Sequence, residues 1–269
     1  MTDAYPPPLD QLLTLGEDAA RADHWPDYLA MGLGIEHVPL LIRMATDRSL
    51  SGADEPQLWA PIHAWRTLGR LQAADAAEPL TSLLHEVEDW DWVGEELPLV
   101  FALIGPPAIP VLVRYLDQRE HGPLARTVAA DALKRIAESH PDSRDACVAA
   151  LAAQLRHYAT QDRALNGFLV GELLDLGAVD SAPGMEQAFA AGRVDISIAG
   201  DWEDAQVALG LLPARRTPRP NYLAVEGMAL GAPAPPPPIP ARGRERRRSI
   251  AKRRRKLARQ SRRRNWRRK

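Results

Sequence analysis

The sequence is poor in the residues that crosslink a fold or cross a membrane. It contains one cysteine, Cys147, in 269 residues, which excludes an intramolecular disulfide and a cysteine-based zinc cluster. No stretch approaches the roughly 18 uninterrupted apolar residues of a membrane span. The N-terminal region lacks the basic segment and apolar run of a signal peptide. These absences predict a soluble, cytoplasmic protein that does not bind membranes.

Sequence motifs of the common catalytic and cofactor sites are also missing. The seven histidines are scattered, with no pair four residues apart and no His-Glu-x-x-His motif. The sequence has neither a glycine-rich phosphate loop nor a Gly-x-Ser-x-Gly motif. Cys147 lies in an alanine-rich helical stretch, where a small buried side chain is expected. We therefore predict no metal, no cofactor and no enzymatic activity.

Charge is distributed very unevenly along the chain. Residues 242–269 hold 17 of the 34 basic residues and one of the 35 acidic residues. Residues 1–241 therefore hold 17 basic and 34 acidic residues, a net charge of −17, whereas residues 242–269 carry +16. A polycationic segment of this kind is typical of polyanion binding, because each neutralised phosphate releases condensed counterion.

Composition divides the chain into three predicted parts. Residues 1–212 are rich in Ala and Leu with helical periodicity, residues 213–241 form a proline-rich linker, and residues 242–269 form the basic tail. The tail is expected to be disordered alone, since like charges four apart repel. On RNA or DNA it could become helical, with Trp266 free to stack on a base. The residues predicted to contact nucleic acid, ribosomal RNA first, are Arg246, Arg247, Arg248, Lys252, Arg253, Arg254, Arg255, Lys256, Arg259, Arg262, Arg263, Arg264, Trp266, Arg267, Arg268 and Lys269.

The alanine-rich part repeats with a period of about 36 residues. Segments 34–43 and 105–114 share the pattern G-x-x-x-(V/I)-P-x-L-(I/V)-R, and the glycines at 34, 69, 105 and 177 are 35, 36 and 72 residues apart. The period predicts helical hairpins in which one helix ends at a left-handed Gly and the next opens with Pro. Because neither helix can bury its apolar stripe alone, the hairpins must stack.

These residues resemble the HEAT repeat, in particular its bacterial HEAT-like form. The best match pairs Ala64-Trp65-Arg66-Thr67-Leu68-Gly69-Arg70-Leu71 with Ala76-Ala77-Glu78-Pro79-Leu80-Thr81-Ser82-Leu83-Leu84. The resemblance implies an all-α HEAT-like α-solenoid of about five hairpins. It also implies a scaffold that binds a protein partner, since most such arrays bind protein, RNA or DNA, although fold alone does not determine function. Oligomeric state is not predicted.

Trp59 and His63 lie four residues apart in the densest cluster of functional side-chain types. One interpretation places both on an exposed helical face that binds a ligand or partner. The alternative packs Trp59 and Trp65 between hairpins with His63 hydrogen-bonded locally, which is the commoner fate of aromatics at helical spacing.

Asp89, Trp90 and Trp92 form a second candidate surface among neighbouring carboxylates. Tryptophans interleaved with acids are similar to the pocket of HEAT-type alkylpurine DNA glycosylases, where aromatic rings hold a cationic base and a carboxylate stabilises the sugar cation. The strongly acidic surroundings argue against a DNA track here.

Three hypotheses follow from the sequence. The first is a non-enzymatic scaffold that binds a protein through its helices and nucleic acid through its tail. The second is a protein-only adaptor whose tail docks on its own acidic body, and the third is a glycosylase-like enzyme.

Near the end of the helical part, Asp201 is predicted to cap a helix starting at Trp202, with Glu203 and Asp204 favourable at its N-terminus.

Overall fold

In a computed structural model of the chain, the described residues are 5–21, 25–88 and 90–220, and among these every regular element is helical. Short 3-10 turns precede many of the α-helices. The α-helices are α1 (Gly16–Arg21), α2 (Val38–Ala45), α3 (Arg48–Ser51), α4 (Ala60–Arg70), α5 (Ala77–Thr81), α6 (Asp91–Ile104), α7 (Ile109–Asp117), α8 (Pro123–Ser139), α9 (Arg144–Leu155), α10 (Arg163–Asp175), α11 (Ala182–Ala190), α12 (Ile196–Ala199) and α13 (Trp202–Ala208). The all-α prediction is confirmed for these residues.

The repeat glycines do not all play the predicted role. Gly105 and Gly177 follow helix ends with φ of 81° and 60°, as the left-handed stop requires. Gly34 is extended at φ −129°, and Gly69 lies inside α4. At Gly69 a Cβ would sit 3.2 Å from Leu103 Cδ1, so this glycine lets α4 approach α6 closely. A small residue between two helices leaves the same sequence signal as a helix stop.

The predicted proline starts are largely observed. Proline occupies the first or second position of α2, α7, α8 and α11. Its missing N–H is harmless there, because the first N–H groups of a helix have no intrahelical partner. In α5 the proline falls one position later, and that helix is short.

Contacts between Cα atoms divide the chain between Cys147 and Val148, so that the described residues up to 147 form one compact unit and the described residues from 148 to 220 form a second. In the first unit, α4 packs on α6 and α6 on α8, while α2 contacts α5 and α5 contacts α7. The largest fully buried side chains of this unit include Trp65, Phe101, Leu41, Leu68 and Leu80.

In the second unit, α10 packs on α12 and α11 contacts α13. The first contact is close, because a Cβ at Gly167 of α10 would lie 2.9 Å from the carbonyl oxygen of Asp195. Phe189 of α11 and Trp202 of α13 bring their ring centroids to 5.8 Å.

Among the described residues, no single helix is long and apolar enough to cross a membrane; the bent pair of residues 91–104 and 106–117 meets the length and composition test only jointly. Cys147 is fully buried, as expected, and burial raises the pKa of its thiol to about 11. The predicted linker beyond residue 220 and the whole basic tail lie outside the described residues.

Candidate functional site

Trp59 and His63 are buried, which corrects the exposed-face interpretation of this pair. Trp59 is 7% exposed and His63 is completely inaccessible. The His63 Nε2 atom lies 3.4 Å from the Gly16 carbonyl oxygen and its Nδ1 atom 2.9 Å from the Tyr28 hydroxyl. Since a carbonyl only accepts, the proton belongs on Nε2, and Nδ1 accepts from Tyr28. Burial lowers the pKa of His63 to about 4, so the ring is neutral at physiological pH.

Trp90 and Trp92 are half-buried and pack on Trp65 of α4 and on Trp59, the residue just before α4. The ring centroids of Trp90 and Trp65 are 5.0 Å apart, and those of Trp92 and Trp59 are 5.7 Å apart in an edge-to-face arrangement. Their third sequence partner, Asp89, lies outside the described residues. The structure therefore brings Trp59, Trp90 and Trp92 into one aromatic cluster at the α4–α6 interface.

A buried ion pair between Arg66 of α4 and Glu96 of α6 organises this cluster. The Arg66 guanidinium donates to both carboxylate oxygens of Glu96, at 2.7 Å from Nε to Oε2 and through a second short bond from Nη2 to Oε1. The Trp65 indole N–H lies 3.4 Å from the same carboxylate. Arg66 is 1% exposed and Glu96 8% exposed. Burial acts to lower the pKa of Arg66, but the hydrogen bonds and charge of Glu96 outweigh it and raise that pKa.

Two tryptophan faces flank the same guanidinium. Its central carbon lies 5.1 Å from the ring centroid of Trp25 and 5.7 Å from that of Trp92. Its Nη2 atom also donates to the Ala20 carbonyl oxygen at 2.7 Å. Rings and a carboxylate in this arrangement can hold a cation, and here the cation is the protein's own Arg66.

This geometry bears directly on the glycosylase-like hypothesis. That hypothesis requires Trp90, Trp92 and a carboxylate to converge on one concave pocket, and the carboxylate that these contacts connect to Trp92 is reached through Arg66. This carboxylate is Glu96, and Arg66 already engages both of its oxygens. A cationic ligand would have to displace a buried, hydrogen-bonded arginine, which costs several kcal/mol for the charge left unpaired. The cluster is therefore built as an internal structural unit.

Sequence reasoning missed Arg66 and Glu96, although a signal was present. Arg66 lies four residues after Ile62 and three before Gly69, which places it on a helical face that is otherwise apolar or small. A charge on such a face predicts a buried partner. What the sequence does not reveal is which of the several acids in residues 86–96 is that partner.

A second polar cluster surrounds the N-terminus of α13. Asp201 caps the helix by accepting from the Asp204 backbone N–H at 2.9 Å, as predicted. The unpredicted partner is Arg215, which donates to both oxygens of Asp201 at 2.6 and 2.8 Å and lies 2.7 Å from Asp204 Oδ1. This arginine holds the pKa of Asp201 below its usual value.

The chain just before residue 220 is held against the same cluster. Glu203 accepts from the backbone N–H groups of Arg216 and Thr217 at 2.7 and 3.1 Å and from the Thr217 hydroxyl at 2.5 Å. These bonds, led by that of the Thr217 hydroxyl, lower the pKa of Glu203. Arg219 donates to Asp204 at 2.9 Å. The start of the predicted linker, residues 213–220, therefore follows α13 and borders an open pocket of about 410 Å³.

In the described part of the chain, no group of three or more His, Cys, Asp or Glu side chains is arranged to hold a metal ion. The tail residues predicted to contact nucleic acid all lie beyond the described residues. Comparison with protein-family models, with curated proteins and with solved structures gave no match.

Proposed function

We propose that this protein is a non-enzymatic scaffold in which HEAT-like helical repeats bind a protein partner and residues 242–269 anchor the chain to nucleic acid, with RNA favoured. The observation that carries the proposal is the charge separation between residues 1–241 and residues 242–269, −17 against +16. Arginine predominates in the tail, and its planar fork suits bidentate phosphate contacts. The association is cytoplasmic and needs no membrane.

The packing order of the first unit supports the repeat architecture. Helices α4, α6 and α8 contact one another in sequence, and so do α2, α5 and α7. Two such rows are what stacked hairpins produce, since each repeat buries its apolar stripe against its neighbours. Side chains also bridge the second row: Arg114 of α7 pairs with Glu78 of α5.

The non-enzymatic assignment is supported by how the best catalytic candidates are used. His63 is inaccessible and held between Tyr28 and Gly16. Glu96 is engaged by Arg66. Both of these described side chains, each able to act as an acid, a base or a charge stabiliser, therefore have structural partners.

A salt series tests the proposal. Binding of a labelled single-stranded RNA and of a DNA duplex would be measured with the full chain between about 50 and about 300 mM salt. A chain ending at Ala241 removes the tail, and a full-length chain with every tail Arg and Lys changed to Gln keeps its length. We expect steeply salt-dependent binding by the full chain and none by either variant. Equal binding by all three would reject the tail as the anchor.

The second hypothesis, a tail docked on its own body, has one observation in its favour. Of the acidic excess, most lies in residues 1–147, which hold 24 acidic and 11 basic residues, a net charge of −13. Residues 148–241 hold 10 acidic and 6 basic residues, a net charge of −4. If the tail covers this acidic surface, truncation at Ala241 strengthens binding to an added basic protein, whereas the nucleic-acid proposal predicts no nucleic-acid binding after the same truncation.

A further inference from the structure

We propose that the second unit contributes its own contact to nucleic-acid phosphates, through a basic corner formed by Arg156, His157, Arg163 and Arg193. This inference deepens the proposed function and rests on it, because it names a second region of contact beside the tail. The corner lies on two segments: residues 156–163, which connect α9 to the first residue of α10, and residues 193–195 before α12.

A buried amide network fixes these two segments to each other. Asn166 is fully inaccessible, and its Nδ2 atom donates to the Tyr158 carbonyl oxygen at 3.0 Å and to the Arg193 carbonyl oxygen at 2.7 Å. Gln161 donates to Asn166 Oδ1 at 2.6 Å and accepts from Gln154 at 2.8 Å. Buried amides that are fully bonded rigidify the backbone around them. The corner is therefore presented on a fixed support.

Two of the arginines span the junction between the segments. Arg193 donates through Nε to the Tyr158 carbonyl oxygen at 3.3 Å and through Nη2 to the Gln161 carbonyl oxygen at 2.9 Å. Arg163 reaches in the opposite direction, 3.4 Å from Nη2 to the Val194 carbonyl oxygen. Backbone carbonyls orient these guanidinium groups without neutralising their charge.

The two acidic residues of the corner serve as helix N-caps. Asp162 caps α10 by accepting from the Ala164 N–H at 2.7 Å, and Asp195 caps α12 by accepting from the Ser197 N–H at 3.0 Å. Arg156, Arg163 and Arg193 form no ion pair with a carboxylate among the described residues. Arg215 in the same unit, by contrast, pairs with three carboxylates.

Guanidinium groups without a carboxylate partner match the chemistry of phosphate oxygens, and two of them, Arg163 and Arg193, are oriented by backbone carbonyls. Arg156, His157 and Arg163 are exposed, and Arg193 is half-buried. Guanidinium donors bind phosphate with directional, charge-assisted hydrogen bonds, and His157 adds a ring N–H donor. The tail follows this part of the chain in sequence, so we infer that one nucleic acid contacts both regions.

The test uses the full chain with Arg156→Gln and Arg163→Gln combined. Both side chains are exposed, whereas Arg193 supports the loop and is left in place. Affinity for a labelled single-stranded RNA is measured across the salt series. Losing two phosphate contacts should reduce the slope of log K against log salt by about 1.4 and weaken binding roughly tenfold near 100 mM salt. Circular dichroism melting verifies that the variant is folded.

The matched control is Arg48→Gln with Arg114→Gln, which removes the same charge from exposed arginines that already pair with Glu86 and Glu78. We expect the control to keep the wild-type slope. If the full chain binds RNA and both double variants share its slope, the basic corner is rejected while the tail anchor stands. If the wild-type chain itself does not bind RNA, the proposed function fails and this inference fails with it.

Discussion

Residue Glu96 shows how much one buried carboxylate matters when a cation depends on it. Replacing it by Gln leaves the Arg66 guanidinium buried without its counter-charge. Removing one partner of a buried pair typically destabilises a protein by about 3–5 kcal/mol, and we expect a loss of about that size in urea unfolding. The exposed pair of Glu78 and Arg114 is the control, because Glu78→Gln should cost less than about 1 kcal/mol. Equal losses would contradict the buried role.

His63 predicts a pH dependence of stability. Its pKa is lowered from 6.5 to about 4 in the folded protein, chiefly by burial. The unfolded chain therefore binds a proton that the folded chain excludes, and stability falls as pH drops from about 6.5 towards about 4. The full shift corresponds to about 3 kcal/mol.

This pH effect can be isolated by comparing variants. In His63→Gln the free energy of unfolding should be lower at pH 7 but should change less between pH 7 and 5 than in the wild type. Tyr28→Phe removes the hydroxyl and keeps the titrating ring, so its pH dependence should persist. An unchanged pH dependence in His63→Gln would show that other groups cause it.

Between α6 and α7, the turn at Gly105 admits only glycine. Its φ is 81°, and a Cβ would lie 2.8 Å from the His140 ring, whose Nε2 lies 2.9 Å from the Ala102 carbonyl oxygen. Gly105→Ala should lower the free energy of unfolding by roughly 2 kcal/mol or more, since strain and steric conflict combine. Gly122→Ala is the control because nothing lies within 4 Å of its Cβ position. Similar losses for both would refute the argument.

The segment that follows α13 gives a prediction about local opening. Arg215 is the residue that joins it to three carboxylates. Arg215→Gln should speed hydrogen exchange at the Thr217 amide, which donates to Glu203, by about tenfold, because the opening free energy of a surface segment depends on few bonds. Arg219→Gln removes a single ion pair and should have a smaller effect. Unchanged exchange in Arg215→Gln would mean that Glu203 alone holds the segment.

Helix content could be predicted from the sequence, but the helix partners could not. The helical class follows from the composition and the repeat, proline positions predict several helix starts, and Asp201 is predictable as a cap because capping is local. Gly69 lies inside α4 instead of ending a helix, and the sequence cannot distinguish the two roles because close helix packing and a helix stop both select glycine. The roles of Arg66, Asn166 and Arg215 do not follow from the sequence, because partners of the first two lie 27 to 46 residues away and the Asp201 partner of Arg215 lies 14 residues away without a pattern that marks the pair. Local interactions such as helix caps can be predicted from the sequence, whereas side-chain partners far apart in the sequence become known only from the three-dimensional structure.

For the whole molecule, the charge separation predicts how stability responds to the tail. If residues 242–269 bind nucleic acid and do not dock on the acidic part, the chain truncated at Ala241 should have a Tm within about 2 °C of that of the full chain near 150 mM salt, where the Debye length is about 8 Å. A tail docked on the acidic part would instead make the truncated chain less stable, most clearly at low salt. Calorimetry of both chains at two salt concentrations separates these outcomes, and a large salt-dependent loss would favour the docked tail.

The aromatic cluster around Arg66 also gives the first unit most of the tryptophan fluorescence of the described residues. Five of the seven tryptophans lie in residues 1–147, and four of them meet in or beside the contacts of Arg66, Glu96 and Trp65. Intrinsic fluorescence should therefore follow mainly the unfolding of that unit, whereas far-ultraviolet dichroism follows helices in both. If the fluorescence and dichroism transitions occur at different denaturant concentrations, their order shows which unit unfolds first.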